Sequence, residues 1–136
     1  MRSNYFYVKS IGAFINFCKL YNLEYQQIKE EDKTSNHDVV MANEPETGMV
    51  CFANEDFVPQ GYFQGEKYIE VDFFNELGKL LEDNNVAIVM EISYEGLRWV
   101  NGFTVAVNNG GYSRQISLMD IYSIAEDMGD FTACEY

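Results

Sequence analysis

From residue 86 to residue 94 the chain alternates: Val86, Ile88, Met90, Ile92 and Tyr94 share one parity, and Glu91, Ser93 and Glu95 hold the other. A period of two is the spacing of side chains along one face of a strand. This stretch therefore predicts a β-strand whose 86, 88, 90, 92 parity faces a core. A turn at Glu95-Gly96 leads into a second strand over residues 97 to 107. A two-residue loop there sets Ile92 opposite Trp99 and Ile88 opposite Phe103. Asn101-Gly102 is itself a hairpin signal, but the apolar parity of Trp99, Phe103, Val105 and Val107 runs straight through it. One long strand is expected, with Gly102 at a bulge or a close contact. Asn108-Asn109-Gly110-Gly111 is the clearest turn in the chain, and residues 112 to 116 follow as a third strand.

A meander with one apolar face needs a cover, and three helical patterns are available to provide it. Residues 10 to 22 place Ile11, Phe14, Ile15, Cys18 and Tyr21 at three- and four-residue intervals, with Ser10 as the cap. A second helix is expected from Val71 or Asp72, with Phe73, Phe74, Leu77, Leu80 and Leu81 as its apolar stripe and Asn84-Asn85 as its stop. Gly78 lowers its stability by about 1 kcal/mol unless it permits a close contact. Ser117, followed three residues later by Asp120, begins a third helix through Ile121, Ile124, Ala125 and Met128, ended by Gly129. Short strands are expected at residues 39 to 42 and 49 to 53, forming a hairpin, and in the tail at 131 to 136. Residues 54 to 66, with Pro59, Gly61 and Gly65, read as irregular. The plan is α+β: a mostly antiparallel sheet of four to six strands with about three helices packed against it. Its 136 residues fit a single compact domain.

Charge is the second constraint. The formal net charge is −13, carried by a chain that is nearly half apolar and rich in Phe and Tyr. That composition separates it from disordered acidic tails. Residues 1 to 23 hold Arg2, Lys9 and Lys19 and no acid, whereas residues 24 to 83 hold fifteen acids against four lysines. A field of this sign repels phosphate, so direct binding to DNA or RNA is not expected. No run of apolar residues is long enough to span a bilayer, and no secretion signal is visible at the amino terminus. Cys18, Cys51 and Cys134 are odd in number and widely spaced. They suggest neither a disulfide framework nor a zinc knuckle, and the expected compartment is the cytoplasm.

Catalytic patterns are weak. Neither a dinucleotide fingerprint nor a P-loop occurs, and the calcium-loop spacing is missing. His37 is the only histidine. It excludes multi-histidine metal sites and leaves a Cys-His or serine triad dependent on one residue in an irregular acidic stretch. Asp72 and Glu76, one helical turn apart, would need a third ligand to hold a cation, so no metal and no cofactor are expected. Glu91 and Glu95 are about 13 Å apart along a straight strand, too far for a glycosidase pair.

The expectation that remains is a non-catalytic interaction protein. Its acidic patch would comprise Glu30, Glu31, Asp32, Glu44, Glu46, Glu55, Asp56, Glu66, Glu70, Asp72 and Glu76. The partner class that such a patch suits is a basic, nucleic-acid-binding protein, with the acids standing in for phosphates. A restriction or CRISPR-type defence nuclease blocked by a DNA mimic is a concrete version. Phe57, Tyr62 and Phe63 would be aromatic contacts if exposed, or would bury themselves against a second copy in a homodimer. Two other readings compete: acidity that serves solubility alone, and a small enzyme or metal-dependent protein built on a carboxylate cluster.

Overall fold

The computed structural model describes residues 1–29, 47–95, 99–126 and 128. The expected strand at 39 to 42, its hairpin with 49 to 53, the Gly129 stop and the tail strand lie outside them in whole or in part. Eleven elements follow in order: β1 (Arg2–Ser3), α1 (Ile11–Leu20), β2 (Glu24–Gln27), β3 (Val50–Ala53), β4 (Gly61–Gln64), β5 (Lys67–Glu70), α2 (Phe73–Leu80), β6 (Val86–Glu95), β7 (Trp99–Asn108), β8 (Ser113–Ser117) and α3 (Asp120–Glu126). Six strands form one antiparallel sheet in the order β2-β3-β1-β6-β7-β8, and β4 and β5 form a separate hairpin. The α+β plan of the sequence is the plan of the molecule.

Local signals explain the boundaries. Ser10 Oγ accepts from the Ala13 N–H at 3.2 Å and caps α1, and Asp72 Oδ1 does the same for α2 through Asn75 N–H at 3.0 Å. α2 stops at Leu80, ahead of the Asn84-Asn85 pair, and Asn84 adopts φ +62° in the turn that follows. Gly78 is a close-approach glycine, since a Cβ there would lie 2.7 Å from the Asn108 carbonyl oxygen. Asn108 Oδ1 accepts from the N–H groups of Gly110 and Tyr112, which closes the β7–β8 turn. At the start of α3, Asp120 Oδ2 accepts from Ser117 N–H at 2.5 Å. That is the reciprocal half of a capping box.

The core lies on one face of the sheet, under α1 and α2. Phe6 stands edge-on to Phe14 and Phe52, with ring centroids 5.9 and 6.2 Å apart. Phe73 joins them through Phe52 and Phe17. Such edge-to-face contacts add about 0.5–1.5 kcal/mol each beyond the area they bury. Val8, Cys18, Tyr21 and Leu23, with Val50, Leu77, Leu81, Ala87, Val89 and Val107, complete the buried cluster.

Three expectations are corrected. The core face of β6 carries Ala87 and Val89, both fully buried, while Val86, Met90 and Ile92 on the other parity are exposed. The β6–β7 register is also offset. Ile92 pairs with Gly102 and Ile88 with Ala106, while Glu95 pairs with Trp99, so three residues rather than two connect the strands. β7 does run unbroken through Asn101-Gly102, and Gly102 is a close contact, its Cβ position lying 3.0 Å from the Glu91 carbonyl. Finally, the segment read as irregular contains β4, which turns through Gly65 at φ +64° into β5. β3 finds its partners in β2 and β1.

Candidate acidic interface

The two acid-bearing stretches on either side of the β4–β5 hairpin are brought together by main-chain pairing. Gly61 pairs with Glu70, and Val71 N–H donates to the Gln60 carbonyl at 3.0 Å. This fixes the 57–60 loop beside Glu70 and Asp72. Between them opens a cleft of about 790 Å³, walled by Phe57, Phe74 and Phe103 and edged by the carboxylates of Glu70, Asp72 and Glu91. No lysine or arginine among the described residues lines it.

Each carboxylate has its own setting. Glu91 stands on the core parity of β6 beyond Ala87 and Val89, where its Oε2 accepts from the Val58 N–H at 2.6 Å. Asp72 is exposed and caps α2, so one of its oxygens is committed to the helix. Glu70 is exposed at the end of β5. Glu55 and Asp56, exposed after β3, lie beside the chain's amino terminus, whose ammonium donates to the Asn54 and Asp56 carbonyls. Glu66 is exposed in the turn between β4 and β5. Glu76 stands apart from these: its Oε1 is 2.5 Å from Lys79 Nζ, an i,i+3 ion pair on α2. None of Glu55, Asp56, Glu66, Glu70 and Asp72 pairs with a cation among the described residues.

Of the aromatic residues expected at the surface, Phe57 and Phe63 are exposed, 63% and 72%. Phe63 meets Tyr68 edge-on across the hairpin, with centroids 5.2 Å apart. Tyr62 is half-buried and reaches Tyr21 edge-on. Burial, then Glu76, then Tyr62 raise the pKa of the Tyr21 phenol. Glu30, Glu31, Asp32, Glu44 and Glu46 lie outside the described residues, as do His37 and Cys134. Glu91 was missed because strand alternation assigns a charged residue to the solvent face. The signal that points inward is the small, apolar 87, 89 parity directly before it.

Several of the residues weighed for catalysis lie within the described residues. Cys18 is buried in the core, where desolvation, and secondarily Cys51, push its thiol up to about 12. Such a group stays protonated and is a packing residue, not a nucleophile. Among the described residues no three His, Cys, Asp or Glu side chains are grouped to hold a metal ion. Asp72 and Glu76, the pair weighed as a cation site, are committed separately to the helix cap and to Lys79. No described helix is long and apolar enough to cross a membrane.

The geometry thus defines an acidic, aromatic-walled surface suited to cationic groups. A guanidinium or ammonium gains from carboxylates at the rim and from ring faces on the walls. No protein-family model, no characterised protein and no solved structure matches the chain.

Proposed function

We propose that this chain is a non-catalytic cytoplasmic interaction protein that docks on the basic surface of a nucleic-acid-binding protein and competes with nucleic acid for it. A restriction or CRISPR-type defence nuclease is the kind of target in view. The observation that carries the reading is the set of exposed carboxylates between Glu55 and Asp72 that form no ion pair among the described residues. Asp72 among them also caps α2, and none has a lysine or arginine as an ion-pair partner among the described residues. The acids are left to solvent, where an array of negative charge meets a phosphate-binding groove on favourable terms and accelerates encounter. The cleft adds a place for one arginine or lysine of the partner to insert between Phe57, Phe74 and Glu70.

The test is affinity capture from a host lysate at about 50 mM and about 300 mM salt, with duplex DNA as competitor. The expected catch is a basic nucleic-acid-processing protein, displaced by DNA and retained less at the higher salt. Glu55→Lys with Asp56→Lys, and Glu70→Lys with Asp72→Lys, should each lower its affinity by about tenfold or more and flatten the salt dependence. The first pair perturbs no described side-chain contact. For the second, Asp72→Asn retains the α2 cap and isolates the charge effect. A partner held equally well by both charge-reversed proteins, or one indifferent to DNA, would sink the reading.

A further inference from the structure

The sheet has a second face, and on the β6–β7–β8 half nothing among the described residues covers its centre. Register places Met90, Thr104 and Ile116 in one row across the three strands. Ile92, Gly102 and Leu118 form the next, where Leu118 N–H donates to the Gly102 carbonyl. Because Gly102 has no side chain, Ile92 and Leu118 close over it: a Cβ there would meet them at 3.4 and 3.2 Å. Ile92 and Ile116 are 72% and 68% exposed. α3 extends the surface. Its Ile121 and Ile124 are exposed, as is Met128 just beyond its end.

Two properties of this face select its occupant. The first is charge. The outward positions of β6, β7 and β8 carry no aspartate or glutamate, although acids outnumber bases 22 to 9 in the chain. Arg114, the charged residue among them, is tied back, its Nε donating to Tyr112 Oη at 2.7 Å. Over the strand rows a like-charged molecule can therefore approach without setting carboxylate on carboxylate, while α3 itself carries Asp120 and Glu126. The second is exposure. Met90, Ile92, Ile116 and Leu118 on the strand rows are 49%, 72%, 68% and 47% exposed, and Ile121 and Ile124 on α3 are 56% and 57% exposed. Large apolar side chains left open side by side mark an interaction surface.

We propose that this face is the interface of a homodimer, two copies packing the outer surfaces of β6–β8 and α3 about a two-fold axis. The arrangement is isologous, so each copy offers the same surface, and the acidic cleft on the opposite side of the sheet stays free. The dimer is independent of the acidic-interface reading. It also differs from a contact through Phe57 and Phe63.

Sedimentation equilibrium of the full chain at about 0.3 M salt, up to about 100 µM, should give twice the 15.7 kDa chain mass. Ile92→Glu with Ile116→Glu should sediment as a monomer with an unchanged circular dichroism spectrum. Should that protein fail to fold, Ile92→Ser with Ile116→Ser gives the milder version, with at least a tenfold weaker dimer expected. Phe57→Ser with Phe63→Ser, and Glu55→Lys with Asp56→Lys, should remain dimeric. A wild-type chain that is monomeric at about 100 µM overturns the proposal, as does a folded Ile92, Ile116 variant that still dimerises or a dimer abolished by the Phe57, Phe63 change.

Discussion

Cys18 on α1 and Glu91 on β6 show how one core treats two polar side chains differently. The thiol of Cys18 is uncharged at neutral pH, so burying it among Phe14, Phe17 and Leu23 asks only that it stay protonated. Its pKa rises from 9.0 to about 12, with desolvation as the main cause. The folded state therefore binds a proton more tightly than the unfolded chain does. Stability from this group is complete below about pH 9 and is lost as pH climbs from there through about 12. Cys51 is only half-buried. At pH 8 an aromatic disulfide reagent should modify Cys51 in the native protein while Cys18 waits for unfolding, and peptide mapping after a short exposure would show it. Equal labelling of both under native conditions would contradict the buried position. Glu91 sits at the margin of the core, open to the cleft, where its Oε2 accepts from the Val58 N–H.

At the scale of elements, helices were more legible than faces. The Ser10 and Asp72 caps, the α2 stripe and the Asn108-Gly111 turn are local, and each is where a residue-by-residue reading puts it, whereas α1 also buries Phe17, outside the stripe read from its spacing. β6 is different because both of its parities are apolar through residue 90: Val86, Ile88 and Met90 against Ala87 and Val89. Alternation then rests on Glu91, Ser93 and Glu95, and Glu91 faces inward for a tertiary reason, the Val58 loop, that no local pattern contains. β2 was equally hidden, since Glu24, Tyr25, Gln26 and Gln27 have no apolar alternation and pair with β3 across a long excursion of chain. The acidic stretches were legible as composition, but their meeting around a cleft depends on the β4–β5 pairing. The inversion of β6 gives a direct comparison between neighbours. Val89→Ala should cost about 2 kcal/mol by emptying a fully buried position, and Met90→Ala no more than about 0.5 kcal/mol. Urea unfolding at low protein concentration, where any dimer is dissociated, reads both values. The reverse order would restore the alternation reading and move the core to the other face.

For the whole molecule the decisive quantity is how its charge enters the stability. A net charge of −13 could be offset in the folded state by ion pairs, in which case added salt would weaken the fold by screening attraction. The described residues instead show one exposed pair, Glu76 with Lys79, and leave the Glu55 to Asp72 carboxylates unpaired. Repulsion then dominates, and folding concentrates it, since the same charges sit closer together in the compact chain. Raising sodium chloride from about 0.01 M to about 0.15 M shortens the screening length from about 30 Å to about 8 Å, less than the distance across a domain of this size. The thermal midpoint should therefore rise. A relief of about 1 kcal/mol corresponds to about 3 to 5 °C for a chain of this length. Chloride is the suitable salt because sulfate would also strengthen apolar burial and confound the sign. Repeating the melt at two protein concentrations separates screening within one copy from the firmer dimer that salt also favours. Only the latter contribution changes with concentration. A midpoint that falls with salt at both concentrations would mean that the acids hold the fold together, leaving them unavailable to a basic partner.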